Sequence, residues 1–445
     1  MTLDGNHTGA AEAHRYTRLV RKNAAVPAEE RLAGLVSVLD YVRTSGLATR
    51  PQLVAATGLS RAMVTQRVTE LVDYGLVVEG GLGPSTGGRA PRTVQFRADA
   101  GYLLVADLGA TSIDVGVADL AGTILAHRAE PADIAAGPAE TLGRVDELFA
   151  RLVGERGDLP RALWGIGVGV PGPVEFESGR PISPPIMPGW DRYDVRARFA
   201  AYGVPVWVDN DVNLMALGEL RAGVARGHDN VVFVKIGTGI GAGIVVGGKL
   251  HRGAQGCAGD IGHIQVLDDV PVVCRCGNVG CLEALAGGAA LGRDGEALAR
   301  DGRSPFLAAL AAEHGTIGAA DVARAATHGD AASIELLTTA GRRVGATLAG
   351  IVNFFNPSLI VIGGAVAGAG DLLLATIRQS VYRRSLPLAT RDLVVKRSTL
   401  GDRAGVIGAA EMVTDELFAA RQLVQWLADG APNDEIQFAA ADGGR

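Results

Sequence analysis

Apolar residues recur at helical spacing near the start of the chain. In the segment 31–45 they fall on one face of a helix, at Leu32, Leu35, Val36, Leu39 and Val42. A second short helix is predicted from Arg50 to Ala56, Gly58 turns the chain, and Ser60 is a good N-cap for a third helix. A helix, a glycine turn and a capped helix together predict a helix-turn-helix.

Two short strand candidates follow the third helix. LVVEGG and RTVQF are separated by LGPSTGGRAP, which is too rich in glycine and proline for a helix or a strand, so the segment predicts a wing. Arginines in such a wing suit a phosphate backbone or a minor groove. The outward face of the third helix and the wing give the candidate DNA-binding residues: Ser60, Arg61, Thr65, Gln66, Arg67, Arg89 and Arg92.

From Tyr102 onward the pattern changes to apolar runs that end in glycine. Helical stretches such as 141–153 and 211–223 alternate with these runs, which predicts an α/β body with helices flanking sheets. The strand and glycine-turn units near Asp107 and Gly237 indicate a duplicated lobe. The predicted divisions are an N-terminal extension at 1–30, a winged helix-turn-helix at 31–97, a first lobe at 98–219, a second lobe with the dimer interface at 220–415, and a C-terminal helix and tail at 416–445.

Charge and cysteine content refine this picture. The 445-residue chain has a net charge of −6, yet the part through Arg97 holds twelve Lys/Arg against eight Asp/Glu, which leaves +4 there and −10 in the remainder. A basic head on an acidic body fits DNA binding at one end. The sequence shows no long apolar stretch and no signal-peptide core, so we expect a cytoplasmic protein without membrane partners. Three of its four cysteines fall within eight residues, which indicates metal ligation in a reducing compartment.

Three short segments carry candidate phosphate chemistry. Around Asp107, Gly109 and Thr111 a glycine lets a phosphate approach the backbone, and the carboxylate can hold Mg²⁺ through water; an ordinary hairpin is the alternative. Residues 237–241 repeat the arrangement, as two lobes around one nucleotide would require. Asp211 follows a strand and could accept a proton from a sugar hydroxyl, although Asn210 and Asp211 also suit a helix start.

A cluster of metal-ligand residues gives the strongest signal. His263, Cys274, Cys276 and Cys281 offer one nitrogen and three thiolates, a closed tetrahedral set that predicts a structural Zn²⁺; three unrelated buried cysteines are the alternative. Asp260 and Glu283 flank this cluster with acceptors for sugar hydroxyls. The second ring nitrogen of the histidine could face a ligand and couple it to the metal.

In chain order, DLGAT, GVPGPV, NDVN, GTGIGAG, GDIGH, CRCGNVGCLE and NPSLIVIGG resemble the ROK family of repressors and sugar kinases, over roughly Arg97 to Val413. The preceding segment, with LSRAMVTQRVTEL and GPSTGGRAPR, resembles the DNA-binding module of its repressor branch, such as the xylose and N-acetylglucosamine repressors. The resemblance implies a two-lobed fold like that of actin and hexokinase. It implies Asp211 as catalytic base, and it implies sugar-binding and nucleotide-phosphate residues: Asn210, Asp211, Asp260, His263 and Glu283 for the sugar, and Asp107, Gly109, Thr111, Gly237, Thr238, Gly239, Gly363 and Gly364 for the nucleotide.

The chain departs from the family's kinases at four positions. Those kinases usually have glycine where Ala110 and Ala242 stand, often lysine at Ser112, and glutamate at Asp260. Each added methyl narrows the approach of a phosphate to the backbone. The shorter carboxylate at Asp260 leaves a sugar hydroxyl unpaired or water-bridged, an effect of about 1–3 kcal/mol. The departures favour sugar binding over phosphoryl transfer.

The sequence therefore predicts a sugar-responsive transcriptional regulator, a repressor that binds operator DNA as a homodimer or homotetramer with a sugar or sugar derivative as effector. An ATP-dependent sugar kinase with a DNA-binding head, using ATP and Mg²⁺, remains the alternative because Asp211 and both phosphate loops are present. A regulator that binds protein and ignores small sugars is the third hypothesis. The sequence leaves open which sugar is bound and whether kinase activity is retained.

Overall fold

The structure is a computed structural model that describes residues 28–83, 90–159, 162–367 and 371–429. The chain divides into two compact units. Unit 1 consists of the residues up to Ala100 together with a C-terminal segment that starts at Asp415, and unit 2 runs from Gly101 to Thr414. Arg89 of the predicted wing, most of the predicted N-terminal extension and the predicted tail beyond residue 429 lie outside the described residues.

The N-terminal part of unit 1 has three helices and three strands. They are α1 (Ala28–Ser45), β1 (Leu47–Thr49), α2 (Arg50–Thr57), α3 (Arg61–Asp73), β2 (Val77–Leu82) and β3 (Arg92–Phe96). The strands form an antiparallel sheet in the order β1-β3-β2. Gly58 ends α2 in the left-handed region at φ +69°, and the Ser60 hydroxyl accepts a hydrogen bond from the Met63 amide, 3.3 Å away, at the start of α3. The predicted helix, turn and capped helix are confirmed; β1 was missed.

Unit 2 begins with a five-stranded sheet. Its elements are β4 (Tyr102–Leu108), β5 (Ser112–Asp119), β6 (Ile124–Pro131), α4 (Pro138–Glu155), β7 (Leu163–Val170), β8 (Val174–Glu175), β9 (Arg180–Pro181), α5 (Val195–Arg198), β10 (Val206–Asn210) and α6 (Asp211–Ala222). The strand order is β10-β7-β4-β5-β6, and β8 pairs with β9 in a small separate ribbon. One face of the sheet packs on α4, whose Leu142, Val145 and Phe149 enter the first lobe's hydrophobic core.

A second five-stranded sheet follows along the chain. Its elements are β11 (Val231–Ile236), β12 (Ile240–Val246), β13 (Lys249–His251), α7 (Leu282–Ala286), α8 (Gly288–Arg300), α9 (Pro305–His314), α10 (Ala319–Thr327), α11 (Ala331–Phe355), β14 (Leu359–Gly363), α12 (Asp371–Arg384), α13 (Pro387–Thr390) and β15 (Val394–Arg397). The strand order is β13-β12-β11-β14-β15. The chain ends in α14 (Arg403–Leu417) and α15 (Ala420–Asp429). Within the described ranges no helix is both long and apolar enough to cross a membrane.

The two large sheets repeat one topology. In each, the first strand pairs antiparallel with the second and the second with the third, while the first runs parallel to the fourth and the fourth to the fifth. The turns β4–β5 and β11–β12 are therefore the equivalent first hairpins of the two sheets. This repetition confirms the predicted duplicated lobe and explains why the two glycine turns look alike in the sequence.

The burial of Arg67 corrects one prediction. Its side chain is 0% exposed on α3 and forms an ion pair with Glu70, with 2.7 Å between Nη1 and Oε1, and Glu70 also binds Arg31 of α1. The backbone of Gly34 lies against this guanidinium, and a side chain there would crowd it. Arg67 is therefore part of the interior of unit 1 and not a DNA-contacting residue.

The C-terminal segment completes the core of unit 1. The Phe418 ring lies edge-on to Phe96 of β3, with 5.5 Å between the ring centroids. Leu417 and Leu423 are 0% and 1% exposed. Arg43 of α1 forms an ion pair with Asp415, with 2.7 Å between Nη2 and Oδ1. The fold of unit 1 therefore depends on residues from both ends of the described chain.

We predict that Phe418→Ala loosens unit 1. Removing a buried ring costs about 3–5 kcal/mol, so amide hydrogen exchange in peptides from α1 and β3 should accelerate strongly. Phe354→Ala is the matched control, because that ring is 93% exposed and its loss should leave exchange unchanged. Equal exchange in the two variants would show that the C-terminal segment adds nothing to the stability of unit 1.

Candidate ligand cleft and metal cluster

One cavity of unit 2 gathers most of the predicted site residues. It has a volume of about 250 Å³, and both first hairpins and the end of β10 contribute to its lining. Twelve of the thirteen predicted sugar and phosphate residues line it: Asp107, Gly109, Thr111, Asn210, Asp211, Gly237, Thr238, Gly239, Asp260, His263, Glu283 and Gly364. Gly363 does not, because it is the buried last residue of β14 and lies against the Phe233 ring.

Asp107 has a buried carboxylate that two glycines accommodate. Gly169 of β7 and Gly405 of α14 lie so close to it that a side chain at either position would collide with its oxygens. Asp107 is 8% exposed, and its Oδ1 has no hydrogen-bond partner among the described residues. Burial, opposed by Lys235 and reinforced by Asp211, raises the pKa of Asp107 to about 8. Asp107 thus lines the cavity as a buried carboxyl group whose neutral form is favoured.

The junction of β10 and α6 holds Asn210 and Asp211. The Asn210 side-chain oxygen accepts hydrogen bonds from the amides of Val212 and Asn213, and its amide group donates to the Gly172 carbonyl. Asn210 is therefore the N-cap of α6, the alternative role that the sequence suggested for it. Its side-chain oxygen and its side-chain amide group both make hydrogen bonds within the protein. Asp211 is 3% exposed and forms an ion pair with Lys235, with 2.5 Å between Oδ2 and Nζ.

Glu283 of α7 is held beside the second hairpin. Its Oε2 accepts a hydrogen bond from the Ile240 amide at 3.1 Å. Gly239 lies directly against the same carboxylate, so any side chain at that position would displace it. The glycine predicted to admit a phosphate therefore also admits Glu283.

His263 joins the cavity to the cysteine cluster. Its Nδ1 is 3.5 Å from the Cys274 sulfur, and its Nε2 is 3.9 Å from Oδ1 of Asp260 on the cavity side. One ring nitrogen thus faces the cysteines while the other faces a candidate sugar ligand.

The four predicted metal ligands come together. One donor atom from each of His263, Cys274, Cys276 and Cys281 lies within 4.8 Å of the others, and the sulfurs of Cys276 and Cys281 are 3.8 Å apart. Burial and the neighbouring Cys276 thiol raise the pKa of Cys281 to about 12, because thiolates this close repel one another. A cation among them removes that penalty, so the donor set fits a metal ion.

The DNA-binding candidates of unit 1 separate into exposed and buried residues. Arg61 and Thr65 of α3 are exposed, as is Ser60 at its start, and Gln66 is partly exposed. Arg92 of β3 is exposed and lies 3.5 Å from the carboxylate of Glu79, which Arg50 also contacts. Together with the exposed Thr69, these side chains leave a polar, cationic face on α3 and the base of the predicted wing.

The sequence reasoning missed several cavity residues. Lys235, Asp114 and Asp402 line the cavity and were not predicted. Lys235 gave a signal in the sequence, because it is a charged residue inside the apolar run VVFVKIG. The two aspartates gave none, since each belongs to a segment with no motif of its own.

Comparison with protein families matches residues 104–416 to the model of the ROK family. A xylose repressor from Caldicellulosiruptor bescii is 31% identical over 386 residues, which is 86% of this chain and 95% of that protein. A glucokinase from Streptomyces coelicolor is 33% identical over 71% of this chain and 98% of that protein.

Solved structures give the same pattern. A ROK family transcriptional regulator, a homologue of the Mlc protein of Escherichia coli, matches with a TM-score of 0.76 and 28% identity, over 89% of this chain and 99% of that one. A ROK family glucokinase from Streptomyces griseus, in complex with glucose and AMPPNP, matches with a TM-score of 0.61 and 31% identity, over 70% of this chain and 99% of that one.

We predict that the cysteine cluster binds about one metal ion per chain. Cys276→Ser removes one of the four donors and should bring the metal content of the purified protein close to zero. Cys257→Ser is the matched control, because Cys257 is an exposed free cysteine outside the cluster. Elemental analysis of both variants measures the difference, and equal metal content in the two would contradict the assignment.

Proposed function

Because this chain belongs to the ROK family, we propose that it is a sugar-responsive transcriptional repressor that binds operator DNA as a dimer. The observation that carries this is the extent of the repressor match. Gly101 to Thr414 of unit 2 amounts to 314 residues, and the alignment to the xylose repressor spans 386, so it includes part of unit 1. The glucokinase match stops at 71% of the chain.

Unit 1 supplies the DNA-binding surface in this proposal. We interpret α2 and α3 with the β2–β3 hairpin as a winged helix-turn-helix, with α3 as the recognition helix. Arg61, Thr65 and Gln66 would contact base edges and phosphates, Ser60 would donate its hydroxyl to a phosphate, and the wing arginines Arg89 and Arg92 would follow the backbone. Arg67 stabilises the helix packing beneath this face.

The cavity of unit 2 supplies the effector site. Asp211, Asp260 and Glu283 offer carboxylate acceptors for sugar hydroxyls, and Nε2 of His263 offers a further polar contact. The Asn210 amide group donates one hydrogen to the Gly172 carbonyl, and its second hydrogen would be a donor for a sugar oxygen. Hydrogen-bond acceptors around a small cavity discriminate strongly between sugars, because a sugar that lacks one hydroxyl leaves an acceptor without a hydrogen bond.

We further propose that the metal is a structural zinc. A tetrahedral site with Zn–S bonds of about 2.3 Å and a Zn–N bond of about 2.0 Å separates two sulfurs by about 3.8 Å and a nitrogen from a sulfur by about 3.5 Å. The separations are 3.8 Å for Cys276 and Cys281 and 3.5 Å for His263 and Cys274. Four protein ligands leave no open position, so the zinc would fix the imidazole that faces the sugar.

We predict that sugar changes operator affinity about 5- to 150-fold, which corresponds to a coupling of about 1–3 kcal/mol. The probe is a DNA duplex selected from a random library by the full-length protein. Its affinity is measured across a salt titration with D-xylose, D-glucose, N-acetylglucosamine or no sugar. Arg61→Ala should weaken binding and reduce the salt slope by about one if the guanidinium contacts a phosphate.

Arg67→Ala is the matched control for the DNA experiment. Because that side chain is buried in an ion pair, its loss should lower the melting temperature, whereas Arg61→Ala should not. Unchanged operator affinity with every sugar would refute the effector role. Absence of any melting shift with the same sugars would favour a regulator that responds to a protein partner instead.

A sugar kinase with a DNA-binding head is the second candidate. It is favoured by the convergence of Asp107, Asp211 and both glycine hairpins on one cavity, the arrangement that phosphoryl transfer needs. We predict no ATP-dependent turnover by the wild-type protein with hexoses, pentoses and N-acetylhexosamines in a coupled ADP-release assay. Turnover that Asp211→Asn abolishes would establish the kinase instead.

A further inference from the structure

Lys235 of the second sheet forms an ion pair with Asp211, the candidate catalytic base that follows a strand of the first sheet. It belongs to β11 of the second sheet, and its Nζ is 2.5 Å from Oδ2 of Asp211, which follows β10 of the first sheet. The lysine is 23% exposed and Asp211 4% exposed in their side chains. Solvent therefore screens this ion pair less than it would a pair on the surface.

Among the described residues that line the cavity, the basic groups besides Lys235 are limited to His263, whose Nδ1 faces the cysteine cluster. Of the described residues that line it, Lys235 is the sole lysine or arginine, against six carboxylates: Asp107, Asp114, Asp211, Asp260, Glu283 and Asp402. Arg252, the nearby guanidinium, is bound to Asp209 at 2.7 Å and does not line the cavity. The ammonium is thus engaged by carboxylates of the chain itself, foremost Asp211.

The choice of lysine is itself unusual in this chain. Lysine and arginine together number 42, and four of them are lysines, at positions 22, 235, 249 and 396. A lysine presents one compact charge on a flexible stem, whereas the planar guanidinium needs more room. The Lys235 stem lies against Gly237, whose missing side chain would stand 3.5 Å from Cε. The lysine stem therefore passes along the hairpin and brings Nζ to Asp211.

An ion pair changes what the carboxylate can do. A general base must accept a full proton, and a nearby positive charge makes that less favourable by stabilising the ionised form. Accepting a hydrogen bond from a sugar hydroxyl needs no proton transfer and is compatible with the pair. Oδ2 of Asp211 accepts a hydrogen bond from Lys235, and Oδ1 accepts a hydrogen bond from the Val212 amide at 2.9 Å. Each oxygen has a second lone pair that can accept from a sugar hydroxyl.

We propose that Lys235 is a positioning residue that holds Asp211 as an ion-paired acceptor for a hydroxyl of an uncharged sugar, so that the cleft binds the sugar without phosphorylating it. The inference rests on the proposed function and extends it to the class of ligand. A sugar phosphate is disfavoured, because the acidic residues that line the cavity outnumber its one ammonium, which is already paired.

The first arm of the test needs no sugar. Lys235→Met, Asp211→Asn and the double variant form a double-mutant cycle on the melting temperature of the full chain. If the pair is formed, each single substitution leaves a buried charge without its partner, and the double variant should be more stable than the two single effects predict. Lys249→Met, which removes an exposed lysine on β13, is the control for a lost charge. If the melting-temperature changes of the two single variants simply add in the double variant, the two side chains do not interact and the proposal is overturned.

The second arm measures the affinity for D-glucose and D-glucose 6-phosphate by calorimetry from about pH 5 to about pH 8. Wild type should bind glucose more tightly than its phosphate, with affinity nearly constant up to about pH 7, below the pKa of about 8 at which the cavity residue Asp107 ionises. In Lys235→Met the ionised form of Asp211 loses its counter-ion, so affinity should fall at least about tenfold towards low pH. Lys235→Gln serves the same purpose if the methionine variant does not fold.

Each outcome of the second arm is decisive. Identical pH profiles in wild type and Lys235→Met, or tighter binding of glucose 6-phosphate that is lost in that variant, would overturn the proposal. So would glucose phosphorylation by wild type that the substitution abolishes. If wild type responds to none of the sugars of the operator experiment while the cycle shows coupling, the proposed function fails and the ion pair stands.

Discussion

Repulsion among six carboxylates around one cavity is the constraint on which the site depends. Burial makes the charges of Asp107, Asp114 and Asp211 costly, and the chain lowers that cost in several ways. The raised pKa of Asp107 favours its neutral form, and the positive charge of Lys235 offsets the negative charge of Asp211. Glu283 accepts a hydrogen bond from the backbone amide of Ile240. What is left is a polar cavity whose remaining acceptors suit the hydroxyls of a sugar.

Local spacing made some features predictable. The cysteine cluster was found because its three thiols lie within eight residues, and the hairpins because glycines follow apolar strands. Arg67 was assigned wrongly because helical periodicity places it between the buried and outward faces, and only the packing of α1 against α3 buries it. The role of Lys235 depends on Asp211, which belongs to the other sheet, so no local pattern could reveal the pair.

The duplicated topology explains how one architecture serves both enzymes and regulators. Residues of both first hairpins line a shared cavity, and the two hairpins occupy equivalent places in the strand orders of the two sheets. Whether the cavity performs chemistry then depends on single side chains, such as the methyl groups of Ala110 and Ala242 and the partner of Asp211. Function in such a fold is determined by the residues of the site, and the same fold is compatible with a sugar kinase and with a regulator.

Unit 1 draws its core from both ends of the described chain, and this has a consequence for biosynthesis. Phe96 is made early, but its ring partner Phe418 is separated from it by the whole of unit 2. During translation the N-terminal helices emerge long before the segment that closes their core, so unit 2 can fold first. A nascent chain that ended before Asp415 would carry the cavity of unit 2 and an incomplete unit 1, so competence to bind DNA has to wait until this C-terminal segment has been made.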